Sequence, residues 1–123
     1  MFTGYLSDEE VVQLLNLSEL LLLPSFCEGF GLPAVEAAAC GTPAVVTTRS
    51  PLPQLLGEGA VAVDPLNRAG WREAIAGILS DSGRGERMSI AALAAARRLS
   101  WENSARQLLS AFEEVVTSSV ASS

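Results

Sequence analysis

Apolar residues along the chain come in two rhythms, short continuous runs and helical i, i+3, i+4 spacings, and the two alternate over the first half. Residues 2–5 read as a short strand. Ser7 or Asp8 can cap the helix that follows, and Ser7 with Glu10 has the capping-box spacing. Val11, Leu14, Leu15 and Ser18 mark the inner face of that helix, which runs to about Leu17. Leu20, Leu21, Leu22 and Leu23 lie between Glu19 and Pro24, a run too short for a helix and suited to a strand buried on both faces. A loop over residues 24–33 leads to Pro33 at the first position of an Ala-rich helix, which Gly41 ends. Residues 42–47 and 59–63 read as two more strands, with a helical turn at residues 52–56 between them.

This order predicts a parallel α/β sheet of about four strands with flanking helices, Rossmann-like in type. After Asp64 and Pro65 the strands stop. Three helical segments follow, at about residues 68–79, 85–99 and 101–116, with Ser100 capping the last and residues 117–123 expected to fray. No composition shift or linker divides the chain, so residues 1–123 are read as one unit without an internal boundary.

Composition narrows the chemistry. A chain of 123 residues with 49% hydrophobic content can bury a core, whereas the formal net charge of −6 offers no basic patch for a nucleic acid. All eight basic residues are Arg and there is no His, which excludes Ser/His and Cys/His catalysis and His-ligated zinc. No metal site is expected. Cys27 and Cys40 have neither a metal-ligand pattern nor a neighbouring base, and read as small buried hydrophobes. No apolar stretch approaches the length needed to span a bilayer, and the first ten residues do not form a secretory signal, so a cytoplasmic location is expected.

The loop at residues 24–33 is where ligands bind in open parallel sheets, beyond the C-terminal end of a strand. Gly29 and Gly31 let backbone approach a ligand, and the amides around Gly31 and Leu32 would meet an anion at the positive end of the next helix. The same glycines also suit a plain tight turn. Glu36 lies in the first turn of a helix that is otherwise apolar on all sides, and so reads as a carboxylate in buried surroundings. It could serve the helix dipole or accept from ligand hydroxyls such as those of a ribose. Glu28 could face the same cleft or be a solvated loop residue. Trp71 and Trp101, near helix starts, read as packing residues, and Arg97 with Arg98 as a solvated helix end.

Glu28-Gly29-Phe30-Gly31-Leu32-Pro33, then Glu36 and Cys40-Gly41-Thr42-Pro43, closely resemble the donor-binding signature of retaining glycosyltransferases of family 4, the group 1 glycosyltransferases. Phe2-Thr3-Gly4-Tyr5-Leu6-Ser7, Leu52-Pro53-Gln54, Val63-Asp64-Pro65 and Leu99-Ser100-Trp101-Glu102 are similar to further landmarks of that family, so the likeness covers essentially the whole chain. The resemblance implies the GT-B arrangement and makes this chain the C-terminal portion of the nucleotide-sugar-binding domain. Glu28, the catalytic candidate, would lie against the donor sugar. The amides of Phe30, Gly31 and Leu32 beside Gly29 would hold sugar hydroxyls and diphosphate, and Glu36 would accept from the ribose.

The same resemblance implies transfer of a sugar from a nucleotide-diphosphate sugar with retention, without a cofactor or required metal. The acceptor, a sugar, lipid or other group, would be held by an N-terminal domain missing from these residues. The family's phosphate-binding Arg and Lys would also lie in a missing part, since the chain contains no Lys. In the family strand order, 3-2-1-4-5-6, the chain would supply strands three to six, and its first strand would lack its neighbours. Two readings follow: a donor-binding portion competent only with its missing part, possessing in the full-length enzyme the option of peripheral attachment to the inner membrane face, or a non-catalytic interaction or weak nucleotide-binding module.

Overall fold

A computed structural model describes residues 2–121. Helix α1 (Asp8–Leu17) begins as its sequence requires: the Ser7 amide donates to Glu10 Oε2 at 2.8 Å and the Glu10 amide to Ser7 Oγ at 3.3 Å. Strand β1 (Leu21–Leu23) follows, then α2 (Leu32–Ala39), β2 (Ala44–Thr47), α3 (Leu52–Leu56), a 3₁₀ turn (Gly57–Gly59) and β3 (Ala60–Val63). The sheet has three parallel strands in the order β1-β2-β3, with Leu22 opposite Val45 and Val45 opposite Val61. Helices α4 (Arg68–Leu79), α5 (Ser82–Arg98) and α6 (Trp101–Ala121) complete the chain.

Strand β2 is the centre of the molecule, and all four of its residues are buried. Ala44 and Val46 point to one face, where they meet Ala34 and Ala38 of α2, Leu52 and Leu56 of α3, and Ala92 and Ala95 of α5. Val45 points to the other face, toward Val63, Ala74, Ile78 and Met88. The alternation along one strand thus builds two half-cores. The small side chains allow close contact: a Cβ on Gly59 would stand 2.6 Å from the Cα of Ala92, so α5 lies directly on the turn before β3. Helix α1 is tied to this body by buried Thr42, whose hydroxyl donates to the Leu15 carbonyl at 2.7 Å.

Several expectations are corrected by the structure. Residues 2–5 form no strand; Phe2 and Tyr5 are exposed and no strand of the sheet pairs with them, so an apolar segment without a ladder partner stays irregular. Three strands therefore replace the four expected. Strand β1 is an edge strand with Leu22 exposed, not a strand buried on both faces. Pro33 takes the second helical position because α2 starts at Leu32. Helix α5 begins at Ser82, since the Asp81 carboxylate captures the Arg84 amide at 3.0 Å and starts the helix early. Helix α6 continues through residues 117–121, where fraying was expected, and residues 122 and 123 lie outside the described residues.

Candidate functional site

The three parallel strands deliver their outgoing loops to one edge of the sheet: residues 24–31 after β1, 48–51 after β2 and 64–67 after β3. The loops are stitched together by backbone. The Glu28 amide donates to the Arg49 carbonyl at 3.1 Å, and the Thr48 amide donates to the Val63 carbonyl at 3.0 Å. Within the first loop the Ser25 hydroxyl donates to Glu28 Oε1 at 2.5 Å, which fixes a half-buried carboxylate. Glu28 is therefore a positioned residue and not a freely solvated one.

The two glycines of this loop differ. Gly31 has φ of +83°, and a Cβ there would lie 2.6 Å from Cδ1 of Leu52, a fully buried side chain. The fold itself requires glycine at this position. Gly29 has no positive φ, and a Cβ there would meet nothing within 4 Å. Its absence of a side chain leaves open space on an exposed stretch of backbone.

Gly31 is also the N-cap of α2, and no side chain caps that end. The amides of Gly29, Phe30, Gly31 and Leu32 make no hydrogen bond within the described residues, which leaves unpaired donors at and just before the positive end of a helix. Such an arrangement can take an oxyanion.

Glu36 departs from the sequence expectation. It lies in the second turn of α2 and is exposed, because α2 buries only the stripe of Ala34, Ala37 and Ala38 against the sheet and α5. Its flank borders an open hollow of about 550 Å³ lined by Phe30, Leu32, Val35, Leu99, Trp101 and Ser104. That hollow is lined by Glu36 and not by Glu28, which is tied instead to Ser25 within the first loop. Trp101 is 91% exposed at this rim, not packed as expected. Trp71 does pack, its ring N–H donating to the Asp64 carbonyl at 3.1 Å. Cys27 is exposed and Cys40 half-buried, so neither is the buried hydrophobe expected. Arg97 and Arg98 are solvated as read.

Three rim residues escaped the sequence reading: Ser25, which orients Glu28, and Arg49 with Asp64. Arg49 Nη2 lies 3.6 Å from Asp64 Oδ2, linking the second and third loops. The available signal was position, since Asp64 directly follows β3 and Arg49 lies two residues after β2, at the edge where parallel sheets bind ligands.

Among the described residues no helix is long and apolar enough to cross a membrane. The fold is shared with a sucrose-phosphate synthase from Thermosynechococcus elongatus, with a TM-score of 0.82 and 26% identity over 96% of this chain and 30% of that one. It is also that of the C-terminal domain of a group 1 family glycosyl transferase from Francisella tularensis, with a TM-score of 0.71 and 22% identity over 80% of this chain and 52% of that one. The chain has the Rossmann-like α/β fold of GT-B C-terminal domains. An O-antigen chain mannosyltransferase B from Escherichia coli is 34% identical over 112 residues, 91% of this chain and 29% of that protein. The chain thus spans less than a third of the length of the curated relatives it matches. Residues 1–95 match the family described as Glycosyl transferases group 1, and the chain belongs to that family of glycosyltransferases.

Proposed function

We propose that residues 1–123 form the donor-binding portion of a retaining family 4 glycosyltransferase, which transfers a sugar from a nucleotide-diphosphate sugar to an acceptor. The observation that carries this reading is the uncapped start of α2, where the amides of Gly29, Phe30, Gly31 and Leu32 lack partners at the ligand-binding edge of the sheet. In this reading those amides hold diphosphate and sugar hydroxyls, and Glu36 accepts from the ribose. Glu28, held by Ser25, lies against the donor sugar and favours the cationic character that develops there as the diphosphate leaves. Stabilising that leaving diphosphate is the main electrostatic task, and a chain with formal net charge −6 and no Lys performs it poorly alone. Catalytic competence accordingly requires cationic and acceptor-binding residues beyond these 123.

The test is a titration of the 123-residue chain with UDP- and GDP-sugars, followed by amide NMR because weak binding is expected. Glu36→Ala should abolish the response without changing the thermal melt, since the side chain is exposed. Tight binding that Glu36→Ala leaves unaltered would overturn the site assignment, and sugar transfer by the chain alone would overturn its dependence on further residues. The non-catalytic interaction module stands as a second reading because α6 carries an uncovered apolar face, with Leu108, Leu109, Phe112, Val115 and Val116 all exposed. A chain that responds to no nucleotide sugar would favour it.

A further inference from the structure

We propose that Arg49 is a further donor-contacting residue, its guanidinium meeting the diphosphate from the β2 side of the uncapped α2 entry. The inference rests on the donor-site reading above and adds to it the cation that the motif at residues 28–36 does not contain. The backbone of Arg49 is fixed beside the first loop. Its carbonyl accepts the Glu28 amide at 3.1 Å, and its own amide donates to the hydroxyl of fully buried Thr47 at 3.2 Å. Any ligand seated on the Gly29–Leu32 amides therefore lies beside a loop whose backbone is bonded to Arg49.

The guanidinium is held loosely and left available. Among the described residues its one ionic contact is a single nitrogen at 3.6 Å from Asp64 Oδ2, with both side chains about half exposed, at 51% and 48%. The remaining N–H donors have no protein partner among the described residues, and a guanidinium presents several in a planar fork suited to phosphate oxygens. Asp64 is itself oriented, because Oδ1 accepts the Leu66 amide at 2.9 Å and only the other oxygen turns to Arg49. An exposed pair of this length adds little to stability, so the arrangement is not accounted for by folding. Electrostatics points the same way: Glu28 and Asp64 both lie at this rim and would repel a diphosphate, and Arg49 is the cation bonded into the same loops.

The experiment is an NMR titration of the 123-residue chain with UDP, GDP, inorganic pyrophosphate and uridine, reading the Arg49 Nε–H resonance and the amides of residues 29–32. UDP and pyrophosphate should move the Arg49 resonance, and uridine should not. Arg49→Ala should weaken UDP and pyrophosphate binding about tenfold, the effect expected for loss of one charge-assisted contact, with an unchanged thermal melt. Arg49→Lys should restore part of the loss. Unchanged UDP binding in Arg49→Ala together with its loss in Glu36→Ala would overturn the Arg49 role and leave the donor site standing. No response of the unsubstituted chain to UDP or GDP at millimolar concentration would overturn both, and an equal loss in Arg98→Ala would reduce the effect to general charge and overturn the contact.

Discussion

The sharpest perturbation is the same substitution made two residues apart, Gly31→Ala and Gly29→Ala. At Gly31 alanine meets two penalties. A left-handed backbone conformation costs a non-glycine residue about 1–2 kcal/mol, and φ there is +83°. The new methyl also stands 2.6 Å from Leu52 Cδ1 and 3.0 Å from its Cγ, and Leu52 is fully buried between α3 and the sheet, so it cannot turn aside without disturbing the core. Overpacking of that kind costs about 1–3 kcal/mol, which puts the total near ~3 kcal/mol and the fall in melting temperature near ~10 °C. At Gly29 neither penalty exists, since φ is not left-handed and the methyl meets nothing within 4 Å. Its stability should change by less than ~0.5 kcal/mol. Urea unfolding followed by circular dichroism reads both variants. A Gly31→Ala midpoint equal to the unsubstituted chain, or a Gly29→Ala midpoint lowered as far, would refute the assignment of one glycine to the fold and the other to open space. A nucleotide titration then separates the roles further, because a methyl at Gly29 projects from the exposed backbone on which a ligand would sit.

Two further outcomes test the packing. Thr42→Val removes the buried hydrogen bond to the Leu15 carbonyl, which keeps the Ser18 amide as a partner at 3.1 Å, so a loss of about 1 kcal/mol in urea unfolding is expected, with Thr42→Ser close to the original. Deleting residues 101–123 removes a helix none of whose described residues belongs to either core cluster, and it should leave the melting temperature within about 3 °C while lowering binding of a hydrophobic dye.

The three strands of the sheet and the edge at which their loops emerge were legible because they rest on local rules. The capping box of Ser7 and Glu10, the stop at Gly41 and the cap at Ser100 each follow from the side chain and backbone of a few neighbouring residues, and each is present. The loop at residues 24–33 was legible for the same reason, because strand-glycine-helix order fixes where it emerges. The exposure of Glu36 was not. An Ala-rich helix looks apolar all round by composition, yet α2 contacts the body only along Ala34, Ala37 and Ala38, and small side chains on the opposite face need no cover. Arg49 and Asp64 were missed because their relation spans two loops and is set by the register of β2 on β3, where Thr47 stands opposite Val63.

The remaining differences share one cause. The sequence reads residues 2–5 as a strand, Leu22 as buried and Trp101 as packed, yet Phe2, Tyr5, Leu22 and Trp101 are exposed, as is the apolar face of α6. Hydrophobic pattern reports what a side chain is suited to touch, and it does not say whether the partner lies in the same 120 or so residues. Around β2 the pattern is satisfied on both faces, and the half-cores close. At the outer edge of β1 and along α6 the same kind of pattern meets solvent. Exposed apolar surface at scattered single positions is ordinary, but Leu108, Leu109, Phe112 and Val116 recur at helical spacing on one face. The core of this chain is thus closed around β2, whereas α6 carries an apolar face that neither core cluster covers. Deletion of α6 distinguishes the two regions directly, because a face that packs within the chain would lower the melting temperature when removed, and one that does not would change only the surface.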